Sequence, residues 1–237
     1  AIRKDTKNNV WIATQGGLFF VNMKTFEYKH YTIDNKPLSR ISDNLVYSLV
    51  YDRDSNLWIA TKNGLDKYEK SSGNIINFVR DETKTNTLSD NYCVSICYTN
   101  DSLLWVGTKS GINCINLNNF QFTYYTEEQG LASNLIYEIQ QDDMGNMWFG
   151  SGKGLSVLKN GTKQIVTYSE EDGLQGLEFN LRSSFKSDDG ELFFGGMNGF
   201  NSFYPEDLTS NKYIPKVFFT SFQKQNPNGL ENIHISN

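Results

Sequence analysis

One short pattern recurs five times along this 237-residue chain, and it limits the possible folds more than any other feature. In the second copy, Asn56-Leu57-Trp58-Ile59-Ala60-Thr61 is followed, after two residues, by Gly64-Leu65. The central aromatic residues are Trp11, Trp58, Trp105, Trp148 and Phe193, so neighbouring copies lie 47, 47, 43 and 45 residues apart. A period near 45 residues with short strands in each unit is typical of β-propeller blades.

A second element keeps a constant distance from the first. The segments Ser42-Asp43-Asn44, Ser89-Asp90-Asn91 and Ala132-Ser133-Asn134 each end 14 residues before their tryptophan. Two signals in a fixed phase over three copies indicate a true structural repeat. We expect the Ser and Asn side chains of these segments to bond the local backbone where a strand begins.

Four strands are predicted within one unit. Residues 46–51, 57–61, 65–69 and 75–79 are rich in β-branched and aromatic residues, and polar or glycine-containing turns separate them. No window has the period of an amphipathic helix. The sequence therefore predicts an all-β chain of four-stranded antiparallel blades. We expect the central aromatic residues to pack between stacked blades.

Charge and hydropathy argue against two broad classes. With 22 basic and 27 acidic residues the formal net charge is −5, so a nucleic-acid partner held by bulk electrostatics is not expected. No apolar run approaches the roughly 18 residues that span a bilayer. The opening segment, Ala1-Ile2-Arg3-Lys4-Asp5, lacks the apolar region of a signal peptide.

The cysteines and histidines predict neither a disulfide framework nor a metal site. The three cysteines, Cys93, Cys97 and Cys114, are odd in number. Cys93 and Cys97 would lie about 13 Å apart along one strand, too far to bridge. The two histidines, His30 and His234, are remote in sequence, so zinc ligands are too few. We expect no metal and no cofactor.

The acidic segments do not form a recognisable catalytic motif. No nucleophile elbow, phosphate-binding loop or metalloprotease motif is present in the sequence. A glycosidase needs two carboxylates about 5–9.5 Å apart with separated pKa values. Neighbouring residues in the loops Glu127-Glu128 and Glu170-Glu171-Asp172 give no sign of that division. We predict no catalytic residues, while a polysaccharide hydrolase or lyase using Glu128 and Glu171 stays an alternative. Asp52 and Asp142 are expected to cap turns.

The repeat resembles that of the two-component regulator propeller family. The fourth copy shows this best, with Ser133-Asn134 followed by Asp143-Met144-Gly145-Asn146-Met147-Trp148-Phe149-Gly150. The fifth copy, residues 178–205, resembles the terminal repeat of the family. Residues 215–222 resemble the first strand of the immunoglobulin-like domain that follows such propellers. The resemblance implies propeller blades over residues 1–214 and the start of a β-sandwich domain over residues 215–237.

The same resemblance implies a function. It implies the periplasmic sensor region of an inner-membrane hybrid two-component histidine kinase, non-catalytic in this segment, in which an oligosaccharide shifts the arrangement of domains. The implied partners are an oligosaccharide, the remainder of the sensor chain and a second copy in a homodimeric receptor. Family propellers usually have seven blades, so five copies suggest part of a larger ring, with a closed five-bladed ring as the alternative. A protein-interaction scaffold is a further alternative.

Ligand contacts are expected where the turns between the second and third strands of the blades meet the inter-blade loops. Three of these turns carry a lysine, and a ring of lysines suits an anionic sugar. Solubilising surface lysines are the alternative interpretation. The predicted ligand-binding residues are Lys62, Asn63, Lys109, Ser110 and Lys153. The predicted blade-packing residues are Trp11, Trp58, Trp105, Trp148 and Phe193.

Overall fold

Each repeat unit folds as an antiparallel sheet, and the five sheets are the blades of a β-propeller. The computed structural model describes residues 1–208 and, as backbone alone, residues 222–226 and 229–233.

The first blade comprises β1 (Ile2–Lys4), β2 (Val10–Thr14), β3 (Gly17–Val21) and β4 (Tyr28–Tyr31). The second comprises β5 (Val46–Tyr51), β6 (Leu57–Thr61), β7 (Gly64–Tyr68) and β8 (Ile75–Phe78). The third comprises β9 (Cys93–Tyr98), β10 (Leu103–Thr108), β11 (Gly111–Asn116) and β12 (Gln121–Tyr125). The fourth comprises β13 (Ile136–Gln141), β14 (Met147–Ser151), β15 (Gly154–Leu158) and β16 (Ile165–Tyr168). The fifth comprises β17 (Phe179–Lys186), β18 (Leu192–Gly196) and β19 (Gly199–Phe203).

The prediction of an all-β propeller is confirmed. The chain runs through each blade in strand order, and β1, β5, β9, β13 and β17 surround the centre of the ring. In the second blade, the first two strands have the predicted bounds and the other two differ by a residue at one or both ends. Within residues 1–208 the helical segments are single 3-10 turns, and none of the described helices is long and apolar enough to cross a membrane.

The chain divides into two compact units, residues 1–205 and residues 206–237. In the second unit, β20 (Phe222–Asn226) and β21 (Gly229–Ile233) form an antiparallel pair. Residues 215–221 of the predicted first sandwich strand lie outside the described residues. The predicted domain boundary at residue 214 and the immunoglobulin-like assignment therefore stay predictions.

Four buried apolar clusters fill the seams between successive blades. In the second seam, Trp58 packs with Leu104 and Val106 of the third blade. In the fourth seam, Trp148 packs with Phe194 of the fifth blade. Full burial of a large apolar side chain contributes about 3 kcal/mol, so the seams hold much of the apolar core. The tryptophans at these seams, all 5 % exposed or less, are Trp11, Trp58, Trp105 and Trp148.

The corresponding face of the fifth blade is open. Phe193 stands at the tryptophan position and is half-buried. Phe185 and Phe200 lie beside it with ring centroids 6.2 Å away, and these two side chains are 62 % and 66 % exposed. Among the described residues no buried apolar cluster joins the fifth blade to the first. The fifth blade thus presents an aromatic stripe, and the expectation of a seven-bladed ring stays a prediction.

An aspartate in the first turn of the blade holds the tryptophan in place. Asp142 Oδ2 accepts hydrogen bonds from Trp148 Nε1 at 2.8 Å and from Asn146 Nδ2 at 2.7 Å. Asp142 Oδ1 accepts from the Asn146 backbone at 2.8 Å. Asp52 makes the same three bonds in the second blade. The expected turn-capping role is confirmed, and the same carboxylate also fixes the indole orientation.

The third blade departs from this arrangement. Thr99 stands at the aspartate position, and its hydroxyl bonds Asp101 and the Leu103 carbonyl. Trp105 Nε1 is consequently buried without a partner among the described residues. An unpaired buried N–H costs about 1–3 kcal/mol, so packing alone fixes this tryptophan.

Each inter-blade loop is fastened to the blade that it enters. Ser42 N donates to Asp66 Oδ2 at 2.8 Å, and Asn77 Nδ2 donates to Asp66 Oδ1 at 2.8 Å. In the third blade Asn113 stands at this position, accepting from Ser89 N and donating to Ser89 Oγ, each at 2.8 Å. The equivalent acceptors are Ser156 in the fourth blade and Asn201 in the fifth.

We expect Asp142→Ala to lower the free energy of unfolding by about 2–4 kcal/mol, because Trp148 Nε1 and Asn146 lose a buried acceptor. Asp143→Ala is the matched control in the same turn. Its carboxylate is exposed and pairs with Lys186, so we expect a loss below about 1 kcal/mol. Denaturant unfolding followed by tryptophan fluorescence measures both changes. Equal losses for the two variants would contradict the assigned role of Asp142.

Asp66 makes stability depend on pH. Burial raises the pKa of Asp66 to about 6, although Ser42 and Asn77 donate to its carboxylate. The folded chain holds this proton more tightly than the unfolded chain between pH about 4 and 6, so the free energy of unfolding falls as pH rises through that window.

Asp66→Asn tests this dependence, since it copies Asn113 and does not titrate. We expect the variant to show a smaller fall in stability between pH 4 and 6 than the wild type, with the remainder due to Glu138, and to be at least as stable as the wild type at pH 7. Thermal unfolding at a series of pH values measures the slope. An unchanged slope would show that Asp66 is not its source.

Candidate functional site: a central cavity and the turns around it

The predicted ligand-binding residues lie in equivalent turns of three successive blades. Lys62 and Asn63 connect β6 to β7, Lys109 and Ser110 connect β10 to β11, and Lys153 lies between β14 and β15. The three lysine side chains are exposed. Each turn ends at a glycine with positive φ, and at Gly154 a Cβ would lie 2.6 Å from a carbonyl oxygen of β16. Glycine therefore allows the backbone approach on which the turn depends.

Two of the predicted side chains already contact neighbouring loops. Lys153 Nζ lies 3.6 Å from Glu127 Oε1, and Ser110 Oγ donates to Asp90 Oδ2 at 3.1 Å. Exposed ion pairs contribute about 0–1 kcal/mol. An anionic ligand could therefore replace Glu127 as the partner of Lys153 at little energetic cost.

The inter-blade loops near these turns bond their own backbone, through aspartates as well as the asparagines that the sequence predicts. Asp43 Oδ1 accepts from Leu45 N at 2.8 Å, and Asp90 Oδ1 accepts from Tyr92 N at 2.7 Å. The acidic segments are exposed 3-10 turns, Glu127–Gln129 and Glu170–Asp172, each with a capping box at its start. These polar side chains therefore shape the loops.

The innermost strands enclose a cavity of about 610 Å³ at the centre of the ring. This volume is in the range of small-molecule pockets. All five blades contribute to its wall. Unlike the seams, which are apolar, this wall is mainly polar. The polar side chains that line it are Arg3, Tyr47, Ser95, Tyr98, Glu138, Gln140 and Arg182, with Ser48 and Ser184.

Glu138 is the carboxylate of the cavity wall. Its side chain belongs to a residue that is 8 % exposed, and Oε2 accepts from Ser184 Oγ at 2.6 Å. Oε1 is buried and has no hydrogen-bond partner. Burial raises the pKa of Glu138 to about 7, and the Ser184 hydroxyl, the Ser183 backbone and the Arg182 charge oppose that rise. Near neutral pH this carboxyl group can therefore donate or accept a hydrogen bond.

Ser95 supplies a second unpartnered group in the same wall. The residue is 5 % exposed, and its Oγ has no hydrogen-bond partner. A Cβ at Gly107 of the adjacent strand would overlap this oxygen, so glycine there makes room for the hydroxyl. Leaving a buried polar group unpaired costs about 1–3 kcal/mol. Two such groups in one cavity indicate a site that a polar ligand or water completes.

Arg182 reaches across the cavity from the fifth blade. It lies in an irregular stretch of β17 between the paired residues Phe179 and Ser184, with a left-handed φ of 59°. Its guanidinium carbon lies 5.8 Å from the ring centroid of Tyr47 in the second blade. Tyr47 Oη in turn shares a hydrogen bond of 2.8 Å with Tyr92 Oη. A cation is thus held over an aromatic ring at the cavity wall.

The ligand-binding residues predicted from the sequence do not include these cavity residues. One available signal was Glu138 itself, a charged residue within the otherwise apolar start of β13. Another was its repeat position, which Ser48 and Ser95 share in the two preceding blades, since they pair with Ala60 and Gly107 as Glu138 pairs with Gly150. That three polar residues share one inward-facing position becomes evident only when the blades surround a common centre.

The thiols are not poised for chemistry at neutral pH. Cys93, Cys97 and Cys114 are free, and burial raises the pKa of Cys97 to about 11 and that of Cys114 to about 12. Burial raises the pKa of Cys93 as well. Within the described residues no three His, Cys, Asp or Glu side chains are grouped to hold a metal ion.

We expect Glu138→Gln to flatten the pH dependence of stability between pH 6 and 7. The raised pKa means that the folded chain holds this proton more tightly, so the wild type loses stability as pH rises from about 4.5 to 7. Asp66 titrates lower and contributes little above pH 6. Chemical denaturation at pH 6 and 7 gives the difference. A Glu138→Gln variant that retains the wild-type difference would refute the titration of Glu138 in this range.

The sequence match falls on two of the five units. A model of the two component regulator propeller family matches residues 40–63 and 130–153. The matched segments begin in the loop before the second and fourth blades and end in their lysine turns. No curated protein sequence matches the chain.

Solved structures of larger extracellular proteins share the fold. The extracellular domain of the hybrid two component system BT3049 from B. thetaiotaomicron has a TM-score of 0.82 and 23% identity, over 100% of this chain and 32% of that chain. The corresponding BT4673 domain has a TM-score of 0.75 and 22% identity, over 87% and 29%. PorZ of Porphyromonas gingivalis, a surface component of the type-IX secretion system, has a TM-score of 0.64 and 14% identity, over 86% and 31%.

This chain spans about a third of each of these structures. At such identities the likeness shows the fold. The family match concerns two of the five units, and its two segments coincide with units found independently from the five-fold pattern. The chain is therefore a β-propeller in which two of the five repeat units match the two-component regulator propeller model.

Proposed function

We propose that this chain is a ligand-sensing part of the periplasmic region of a hybrid two-component sensor, and that its ligand is an oligosaccharide. The observation that carries the proposal is the pair of unpartnered buried oxygens, Glu138 Oε1 and Ser95 Oγ, in the wall of a 610 Å³ cavity. The likeness to extracellular domains of hybrid two component systems supports it.

The ligand would use the cavity and the turn face together. One sugar unit enters the cavity, and a small rotation of the Glu138 and Ser95 side chains, whose unpaired oxygens are buried in its wall, lets its hydroxyls pair with them. Tyr47 lies near the turns, since Lys62 N donates to the carbonyl of Leu45 just before β5. The following units lie over the turns that carry Lys62, Asn63, Lys109, Ser110 and Lys153.

Signalling would follow from differential binding. A ligand that contacts several blades shifts a sensor only by its difference in affinity for two arrangements of the whole receptor. A coupling of about 1–3 kcal/mol is sufficient for a useful switch. The receptor would be an inner-membrane homodimer whose remaining domains carry the histidine kinase.

We expect this segment not to catalyse. Glycoside hydrolysis with the usual pair of carboxylates needs two acidic groups within about 9.5 Å across the substrate. Among the described residues lining the cavity, Glu138 is the one acidic side chain. A hydrolase or lyase thus has less support than a binding module.

A protein-interaction scaffold is a second candidate, favoured by the aromatic stripe of the fifth blade. Phe185 and Phe200 are largely exposed beside Phe193. Exposed apolar patches on soluble proteins often mark interaction sites. A protein partner would cover this stripe and leave the central cavity unaffected.

Calorimetric titration with a panel of acidic and neutral oligosaccharides tests the proposal. We expect one panel member to bind with fixed stoichiometry. Ser95→Ala should weaken binding about fivefold or more, because a buried hydrogen bond to the ligand is lost. Lys62, Lys109 and Lys153 changed together to Gln should weaken binding of acidic members selectively.

The outcomes separate the alternatives. Lys163→Gln, an exposed change in the fourth blade, is the control and should leave affinity unchanged. Heat that continues after each injection would indicate turnover and overturn the non-catalytic assignment. Binding that Ser95→Ala and Glu138→Gln leave unchanged would remove the central cavity from the proposal.

A further inference from the structure

A second cavity, of about 300 Å³, lies in the seam between the first and second blades. We call it the first-seam pocket and define it by its aromatic walls, Trp11, Phe20, Tyr51 and Tyr68. Its rim comes from the β1–β2 turn and from Ser55 and Lys70. These turns lie at the opposite ends of the strands from Lys62 and Lys109, so the pocket is separate from the proposed sensing site.

The second seam shows a side chain that fills this space. There the corresponding cavity measures about 70 Å³ and is lined by Leu117 and Phe120 of the third blade. Phe120 stacks on Phe78 with ring centroids 6.1 Å apart, so it closes the seam from outside. Lys67 lies over Trp58, its Nζ 5.8 Å from the ring centroid.

One position accounts for much of the difference. Gly73 in the β7–β8 turn is the repeat equivalent of Phe120: the two backbones donate the same turn hydrogen bond, Gly73 N to Glu69 O at 2.8 Å and Phe120 N to Asn116 O at 2.7 Å. Both have positive φ, 73° and 54°. Without a side chain at residue 73, the first seam remains open above its aromatic residues.

The walls of the pocket suit a flat apolar ring. The Trp11 ring centroid lies 4.9 Å from that of Phe20 and 4.8 Å from that of Tyr68, both in tilted arrangements. Phe20 occupies the strand position that Lys67 holds in the next blade, opposite the tryptophan. The pocket therefore gains a third aromatic wall where the second seam has a cation. An aromatic ring buried against such walls gains both area and favourable ring geometry.

One polar atom in the wall lacks a partner. Tyr51 Oη is buried and makes no well-formed hydrogen bond, although the Trp11 indole N–H lies close enough to oppose the rise of its pKa. Burial and the nearby Asp5 charge raise the pKa of Tyr51 to about 12, so the hydroxyl is neutral and able to donate. A ligand hydroxyl at this place would supply the Tyr51 hydroxyl with a hydrogen-bond partner.

The rim is positively charged. Lys4, Lys7 and Lys70 line the pocket together with Asp5. The Asp5 carboxylate is occupied, accepting from Lys7 N and Asn9 N at 2.8 Å and from Asn9 Nδ2 at 2.9 Å. Three cationic side chains against one engaged carboxylate favour an anion at the mouth.

We propose that the first-seam pocket binds a small aromatic carboxylate, with its ring against Phe20 and Tyr68 beside Trp11, a ring hydroxyl directed at Tyr51 Oη and its carboxylate at the lysine rim. The ligand would bridge the first two blades. Because its walls come from both blades, such a ligand would also stabilise the seam by mass action.

Ligand-observed NMR and calorimetry with 4-hydroxybenzoate test the proposal on the full chain. Benzoate, phenol and galacturonate are the comparison probes, differing in the hydroxyl, the charge and the ring. We expect 4-hydroxybenzoate to bind saturably, benzoate and phenol to bind at least threefold more weakly, and galacturonate weaker still. Glu138→Gln should leave this binding unchanged, which separates it from the central cavity.

Three variants locate the site. Gly73→Phe copies Phe120 and should reduce affinity at least tenfold by covering the pocket. Tyr51→Phe should reduce it about threefold or more, and Lys70→Gln about threefold, as expected for one hydrogen bond or one exposed ion pair. Lys163→Gln is the matched control and should have no effect. Circular dichroism verifies folding, and Tyr51→Phe decides the test if Gly73→Phe does not fold.

Several results would overturn the proposal. No saturable binding of 4-hydroxybenzoate would do so directly. Galacturonate binding as tightly as 4-hydroxybenzoate would make the ligand a sugar acid and remove the aromatic class. Equal binding of phenol would remove the role of the lysines, and unchanged affinity in both Gly73→Phe and Tyr51→Phe would place the ligand elsewhere.

Discussion

The fold depends on one contact repeated around the ring: an indole of one blade buried against the sheet of the next. A single four-stranded blade has two faces to cover and little interior of its own. The four filled seams cover both faces of the second, third and fourth blades. The polar network serves these seams, since Asp52 and Asp142 orient the indoles and Asp66 and Asn113 fasten the incoming loops. Stability therefore resides between blades, and buried carboxylates adjust it with pH.

Much of the fold could be predicted because its signals are local and repeated. Strand bounds, turn glycines and the Ser-Asp-Asn loops each follow from a few neighbouring residues, and five copies reinforce one another. The hydrogen bond between the turn aspartate and the tryptophan indole was harder to predict from the sequence. Asp142 was expected to cap a turn, yet it also bonds an indole six residues later, which requires knowing how the first two strands pair.

The sites could not be predicted in the same way because they depend on contacts between units. Ser95 and Glu138 face a common space only after the inner strands of several blades surround it. The first-seam pocket arises from a missing side chain, Gly73, whose importance is apparent only beside Phe120 at the same turn position. The lysine turns were visible in the sequence because they recur, and recurrence alone does not distinguish a ligand contact from a solubilising surface.

The hydrogen bonds that fasten each inter-blade loop to the blade that it enters have a consequence for how such a chain can change in length. Both the aromatic seam and these loop hydrogen bonds join a unit to its immediate successor through the same repeat positions. Duplicating or deleting a whole unit of about 45 residues would thus preserve every type of junction, whereas a change of a few residues would shift strands out of register. Variation in ring size is therefore expected to occur in whole-blade steps.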